Sequence, residues 1–354
     1  MTSLDTARAL VSRLAAAFYN FEAYSSKDAI TAAFADDALL RLCHPLTTGR
    51  DGVAEGSEGY WSRAIGPLAH AMPDLERRPF ISMAGEDHDR NIWVGQGGHY
   101  MGTWGGPFLD IPATGHLAHM RFHEFFRVVD GKIVEVQMIW DLPELMMQSG
   151  CWPMSPSLGR DWCVPGPATC DGLLDGSADP KRGAASCQFV IEMLSAMTRH
   201  PSQGGPEVME MDRFWSYHMN WYGPTGIGTG RGIEGFRKHH QIPFLAAMPD
   251  RGQNSDNTHH HFFGDGDYVA VTGWPNMAQT LTHSGWLGIA PSGQPIELRS
   301  LDFWRLEGEG KRRRIRENWV LVDLLDMYHQ LDVDVLARMR GLTTPRNRTR
   351  LRRN

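Results

Sequence analysis

The stretch IPATGHLAHMRFHEFFRVVDGKIVEVQMIWD, residues 111–141, decides the fold because the chain contains it twice. The second version, IAPSGQPIELRSLDFWRLEGEGKRRRIRENWVLVD, covers residues 289–323. At an offset of 178 residues, Glu124 in the first version aligns with Asp302 in the second. A longer turn in the second version raises the offset to 182, so that Asp141 aligns with Asp323. A repeat with so long a period indicates a duplicated structural unit.

Alternation of apolar and polar residues predicts that residues 117–128 form a β-strand. One face of this strand is apolar except for Glu124, and the matching face of the second copy carries Asp302. A carboxyl group on a buried strand face is costly unless it is protonated or hydrogen-bonded. Burial would raise its pKa toward neutrality, which suits a general acid or base. The alternative is a structural carboxylate that holds an arginine or a backbone amide, and the pattern leaves both interpretations open.

The composition indicates a globular protein of about two domains. The chain has 354 residues, of which 42% are hydrophobic and 21% are charged. Its net charge of −6 argues against a dedicated nucleic-acid-binding protein. Apolar runs fall short of the ~20 residues that a membrane span requires, and the five cysteines lack a CxxC pair, as expected for reduced thiols. We therefore expect a cytoplasmic protein that binds neither nucleic acid nor a membrane.

Helical patterns precede a run of strands in each half of the chain. Residues 4–21 and 53–71 are predicted to be helical in the first half, and residues 184–200 and 232–247 in the second. Strand patterns follow in both halves, so the order predicts an α+β fold with helices packed on an antiparallel sheet. The predicted organisation is a first domain at 1–150, a Pro/Gly-rich linker at 151–183, a second domain at 184–341 and a basic tail at 342–354.

These motifs resemble those of the SnoaL-like polyketide cyclases, a family of the NTF2-like superfamily. The resemblance rests on the IPATG and IAPSG turns, on a D/E-x-F/W-R strand beginning at Glu124 and Asp302, and on the closing Trp140-Asp141. It covers about residues 40–145 and 185–330. It implies two tandem cone-shaped α+β barrels, each a curved sheet wrapped around helices and enclosing a mostly apolar pocket. It also implies an internal pseudo-dimer of the two copies, and leaves a further homodimer open.

The resemblance further implies catalysis by an acidic residue without a metal or organic cofactor. The family's acid corresponds to Asp302, and to Glu124 with a Glu-for-Asp change. We expect a lyase, isomerase or cyclase that acts on a small, largely apolar carbonyl or polyketide-like substrate. The superfamily also includes binding proteins, so a non-catalytic ligand-binding or scaffold protein is the alternative. The second copy has the more family-like acid and the more aromatic surroundings, so we expect it to be the active one.

Other candidate residues surround the two predicted pockets. His44 and Tyr222 occupy equivalent strand ends and could polarise a carbonyl or relay a proton. His259 and His261 share a strand face, but without a carboxylate at recognisable spacing we expect no metal site. His240 is predicted to lie at the surface or at an interface. The aromatic residues expected to bind substrate are Trp221, Trp274, Trp286, Trp304 and Trp319 in the second copy, and Phe122 and Phe126 in the first.

Overall fold

A computed structural model describes residues 3–19, 23–174, 179–253, 256–283 and 285–343 of the chain. Within these ranges the α+β class and the tandem arrangement are confirmed, since each half forms one six-stranded sheet covered by helices. The basic tail beyond residue 343 lies outside the described residues. No helix within the described ranges is long and apolar enough to cross a membrane.

The sheet of the first copy has the order β2-β1-β6-β5-β4-β3. The neighbours β1 and β6 run parallel, whereas the other pairs are antiparallel. Its strands are β1 (Phe34–Leu42), β2 (Val53–Ala54), β3 (Glu76–Glu86), β4 (Ile92–Thr103), β5 (Leu117–Val129) and β6 (Lys132–Trp140). Its helices are α1 (Ser3–Ala17), α2 (Ala23–Ala33), α3 (Gly56–Tyr60), α4 (Gly66–Ala71) and α5 (Leu142–Gln148), with a π-helical turn, Trp61–Ile65, between α3 and α4.

The second copy repeats this arrangement with the order β8-β7-β14-β13-β10-β9 and adds a two-stranded sheet, β11-β12. Its strands are β7 (Trp215–Tyr222), β8 (Thr229–Arg231), β9 (His261–Asp265), β10 (Tyr268–Thr272), β11 (Met277–Thr280), β12 (Pro295–Leu298), β13 (Ser300–Glu307) and β14 (Arg314–Val322). Its helices are α6 (Pro180–Met197), α7 (Met211–Phe214), α8 (Gly232–Phe236), α9 (Ile242–Ala247), α10 (Leu324–Gln330) and α11 (Val335–Thr343). A π-helical turn, Arg237–Gln241, joins α8 to α9, and 3₁₀ turns occupy Pro206–Met209 and Gly310–Arg312.

The alternation of residues 295–306 predicts a single strand, matching 117–128 of the first copy, but the structure divides it into β12 and β13. The cause lies in the neighbouring segment, where Pro275 lacks an N–H and interrupts the partner strand. The Asn276 side chain takes over the missing ladder bonds: its amide nitrogen donates to the Ser300 carbonyl at 2.7 Å, and its oxygen accepts from the Ser300 N–H at 3.0 Å. The sequence of residues 324–340 likewise predicts a single helix, but the structure divides it, because Asp332 adopts a positive φ of 58° between α10 and α11.

The segment between the copies is more structured than its composition indicates. Residues 142–183 lack a clear periodicity in sequence, yet α5 occupies Leu142–Gln148. The linker beyond α5, over residues 151–174, lies along both sheets. The Ser82 N–H donates to the Gly172 carbonyl at 2.8 Å in the first copy, and the Arg160 N–H donates to the Thr229 carbonyl at 3.0 Å in the second.

The two sheets pack against each other through the odd-numbered residues of β5 and β13. Phe125 stacks on Phe303 with ring centroids 5.1 Å apart, and the His123 ring is hydrogen-bonded to the Leu301 carbonyl through Nδ1 at 2.6 Å. A Cβ atom at Gly95 would lie 3.0 Å from the Phe303 ring, so glycine allows the sheets to approach closely. The even-numbered positions of both strands, which carry the two acids, face into their own copies.

The repeated arginine and the closing aspartate of the motif connect the two copies. Arg121 donates to the carbonyls of Tyr222 at 3.1 Å and Gly223 at 2.6 Å, both in the second copy. Asp141 accepts a hydrogen bond from the Thr225 N–H at 2.9 Å. These groups are almost fully buried, so they satisfy one another at the interface instead of facing a pocket.

Arg299 and Asp323, the equivalent residues of the second copy, make corresponding contacts with the first copy. Arg299 donates to the Gly49 carbonyl at 2.7 Å, and Asp323 accepts from the His44 N–H at 2.9 Å. We refer to the contacts of Arg121, Asp141, Arg299 and Asp323 across the interface as the reciprocal Arg–Asp contacts.

Candidate functional site

A cavity of about 90 Å³ lies inside the second copy, between the sheet and the helices α6, α8 and α9. Typical ligand pockets have volumes of roughly 300 Å³ or more, so in this conformation the cavity accommodates only a small molecule. The walls are mainly apolar and aromatic, with a few polar groups. Those polar side chains are Asp302, Ser300, Asn318, His240, Gln241 and Arg251.

Asp302 is the carboxyl group of the cavity. It lies on β13 deep in the copy, yet it keeps partial exposure because it borders the empty space. Burial raises the pKa of Asp302 to about 7, although a hydrogen bond from the Ser300 hydroxyl and the charge of Arg251 act in the opposite direction. Near neutral pH such a group can both take up and release a proton.

The corresponding acid of the first copy, Glu124, is fully buried, and both of its carboxylate oxygens accept hydrogen bonds. Its carboxylate accepts from Arg77 Nη2 at 2.6 Å, from the Tyr100 hydroxyl at 3.0 Å and from Trp140 Nε1 at 2.9 Å. Three donors occupy most of the lone-pair positions of this carboxylate, and Arg77 balances its charge, so little of its basicity is available to a ligand. The geometry therefore favours the structural interpretation for Glu124.

The strand register explains why the second copy has space where the first does not. Tyr100 pairs with Met120 in the first copy, and Met277 pairs with Leu298, which aligns with Met120, in the second. Met277 thus takes the place of Tyr100, and by the repeat offset Val322 takes the place of Trp140. Both smaller side chains line the cavity. The repeat reveals the change from Trp140 to Val322, but the loss of the tyrosine becomes visible only from the pairing.

His240 also lines the cavity, which corrects the prediction that it lies at the surface or an interface. It belongs to the π-helical turn between α8 and α9, and the wider turn rotates its side chain away from the position that a regular helix would give it. Its ring stacks on Trp221, with centroids 4.1 Å apart and planes 10° apart. Burial, assisted by the charge of Arg251, lowers the pKa of His240 to about 3, so its imidazole is neutral near pH 7.

Like Glu124, the predicted catalytic residues His44 and Tyr222 lie outside the cavity, so Asp302 is the one of the four that borders it. His44 stacks on His329 of the other copy with ring centroids 4.6 Å apart. The Tyr222 hydroxyl donates to Glu317 at 3.1 Å. Both side chains therefore lie at strand ends that belong to the contact between copies or to the outer side of the sheet.

The aromatic candidates divide in the same way. Trp221, Trp286 and Trp304 line the cavity. Trp274 packs under Arg299 at 4.7 Å, and the Trp319 indole donates to the Pro165 carbonyl at 2.9 Å, so neither borders it. Phe122 and Phe126 lie in the core of the first copy.

A larger cleft of about 1410 Å³ lies between the copies, bounded by α1, α6, the turn between β3 and β4, and residues 258–264. Its histidines do not form a metal centre with their neighbours: His261 bonds to Asp87 at 2.7 Å, and the described residues contain no group of three or more His, Cys, Asp or Glu side chains that could hold a metal ion. Leu194, Arg251 and Met277 border both the cleft and the cavity. The cleft therefore adjoins the cavity at these three side chains.

Comparison with known proteins identifies both copies. The family model described as SnoaL-like polyketide cyclase matches residues 10–149 and 207–331, which together are about three quarters of the chain. No curated protein matches the chain.

Solved structures that resemble it include wild-type IdmH from Streptomyces antibioticus, with 22% identity, 40% of this chain and 96% of that chain covered, and a TM-score of 0.33. The match to a SnoaL-like polyketide cyclase from Agrobacterium tumefaciens covers 42% of this chain and 98% of that chain, with 18% identity and a TM-score of 0.32. The match to an NTF2-like protein from Burkholderia thailandensis covers 42% of this chain and 98% of that chain, with 18% identity and a TM-score of 0.31.

Proposed function

Because the chain belongs to the SnoaL-like polyketide cyclase family, we propose that its second copy is a cofactor-independent acid–base catalyst of the cyclase, lyase or isomerase type. The substrate is a small carbonyl compound, in keeping with the size and aromatic walls of the cavity. One observation carries the proposal: a carboxyl group with a pKa of about 7, Asp302, borders an aromatic cavity. The match between this pKa and neutral pH favours proton transfer.

In the proposed reaction, Asp302 removes a proton from the carbon next to a carbonyl group. The resulting enolate oxygen requires hydrogen-bond donors, and the indole N–H groups of Trp286 and Trp304 are buried without a partner among the described residues. In a ring closure, the enolate carbon then forms a C–C bond with a second carbonyl carbon. The new alkoxide receives the proton that Asp302 had accepted, so the enzyme returns to its starting state.

We propose a structural role for the first copy. Its acid is held by three donors, and its sheet contributes the surface on which the second copy packs. The paired copies form an internal pseudo-dimer in place of an assembly of two separate chains. His44 and Tyr222, which lie away from the cavity, have no part in the proposed chemistry.

The test is exchange of α-protons with deuterated water, because exchange reports proton removal whatever the natural substrate is. Hexane-2,5-dione is a suitable probe, since it is small and can close a ring by an intramolecular aldol reaction. We expect wild type to accelerate exchange, Asp302→Asn to lose the acceleration and Tyr222→Phe to retain it, as followed by proton NMR. Undiminished exchange in Asp302→Asn would disprove the role of the carboxyl group, and binding of the dione without exchange in wild type would favour a ligand-binding protein.

A further inference from the structure

Arg251 follows the Met-Pro-Asp turn that ends the long helical segment of the second copy. The first copy has Leu75 after the same turn, and that side chain is completely buried in the core. Arg251 instead borders both the cavity and the cleft between the copies. A cation therefore stands at the boundary between the site and its approach.

The guanidinium of Arg251 forms no ion pair and donates no hydrogen bond within the part of the chain that the structure describes. The guanidinium carbon lies 6.0 Å from the centre of the Phe244 ring. Burial lowers the pKa of Arg251, while the charge of Asp302 acts in the opposite direction. Arg251 is only partly buried and borders the cleft, so an anion that entered from the cleft could reach the guanidinium and accept charge-assisted hydrogen bonds from it.

Other arginines near the cleft already have partners. Arg8 is paired with Asp265 at 2.5 Å. The acid nearest the histidines, Asp87, accepts hydrogen bonds from Asn91, Trp93 and His261, so it is also occupied. Arg90 is likewise paired with Glu86, so among the described arginines that line the cleft Arg251 is the one without a carboxylate partner.

We propose that Arg251 binds the carboxylate of the substrate, so that the substrates are small oxo-carboxylic acids rather than neutral ketones. The planar guanidinium can hold a carboxylate through two parallel hydrogen bonds, which would fix the orientation of the acid as well as bind it. The carbonyl end of the molecule then extends toward Asp302 and the unpaired indole N–H groups. This inference rests on the proposed function for the identity of the site, but it concerns binding and can be tested separately.

Two probes of nearly equal size separate the charge from the shape: 4-oxopentanoate, which carries a carboxylate, and hexane-2,5-dione, which has a methyl ketone in its place. We expect wild type to bind 4-oxopentanoate at least about tenfold more tightly, as measured by calorimetry, since hydrogen bonds to charged groups are the stronger ones. Arg251→Gln should remove this preference, because it weakens the binding of 4-oxopentanoate much more than the binding of the dione. Arg251→Lys should restore part of the preference, which shows that the charge and not the fold is responsible.

Arg78→Gln serves as the matched control, because Arg78 is an exposed arginine paired with Glu76. An equal affinity of wild type for both probes, no binding of 4-oxopentanoate at millimolar concentration, or a preference that survives in Arg251→Gln would each overturn the inference. Asp302→Asn distinguishes it from the proposed function. A preference that persists in Asp302→Asn supports the anion site even if no variant exchanges protons, whereas exchange without a preference leaves the catalyst and removes the anion site.

Discussion

Replacement of Asp302 by Asn should change how the stability of the protein depends on pH. The asparagine cannot ionise, but its side-chain oxygen can still accept the hydrogen bond from Ser300. In wild type, burial raises the pKa of Asp302 to about 7, against an ordinary value of 3.8. Between these two pH values the folded protein keeps a proton that the unfolded chain releases. Since the folded state then binds more protons, the contribution of this group to the free energy of unfolding falls as pH rises from about 4 to 7 and is constant above that.

The expected magnitude follows from the separation of the two pKa values. About 3 pH units correspond to ~4 kcal/mol. Asp302 borders the cavity and is not fully excluded from solvent, so we expect about 2–4 kcal/mol. Burial also raises the pKa values of Asp141 and Asp323 to about 7, but these groups are present in both proteins, so their effects cancel in the difference.

Urea unfolding followed by tryptophan fluorescence at several pH values between 4 and 8 measures this difference. The free energy of unfolding of Asp302→Asn should increase relative to wild type as pH rises. Asp74→Asn is the control: hydrogen bonds from Thr103 lower the pKa of Asp74, so its stabilising contribution is complete above about pH 4 and its difference from wild type should stay nearly constant over this range. A difference between Asp302→Asn and wild type that does not vary with pH would refute the assignment of a raised pKa.

Three further predictions test the contrast between the copies. Glu124→Gln leaves the buried Arg77 without its counter-charge and should lower the free energy of unfolding by roughly 3–5 kcal/mol in urea titrations; a loss below about 1 kcal/mol would contradict the structural role. Val322→Trp introduces the residue of the first copy and should fill the cavity, so that binding and proton exchange of the dione disappear while the circular dichroism spectrum is retained; persistent exchange would place the reaction elsewhere. The exchange rate of wild type should rise with pH around an apparent pKa of about 7, as expected for a carboxylate base, whereas a flat profile would exclude Asp302 as that base.

Much of the fold follows from the repeat. Period-two alternation and the second copy of the same motif fix the strands β5, β6 and β14 and the position of both acids, because a strand places alternate residues on one face. The contrast between Glu124 and Asp302 could not be inferred in this way. The partner of Glu124, Arg77, comes from β3, two strands away across the sheet, and its position depends on register that the sequence does not display.

The residues missed around the cavity lie where the chain departs from regular geometry. His240 sits on a π-helical turn, and Arg251 follows a turn just after a helix end. Neither position can be placed on a face by helical or strand periodicity. The repeat aligns His44 with Tyr222, but the structure makes Thr225 the counterpart of His44, since the His44 N–H donates to Asp323 and the Thr225 N–H to Asp141. These strand ends meet the other copy, and that contact is not visible in one copy alone.

The reciprocal Arg–Asp contacts bear on how the two halves can diverge. In an assembly of two identical chains, a substitution that fills one pocket with aromatic rings fills the other as well, and all activity is lost. Here each half has its own sequence while remaining joined to the other through buried arginines and aspartates. One half can therefore be optimised for stability and the other can retain an energetically unfavourable cavity, so that the requirements of folding and of chemistry are met by different parts of one chain.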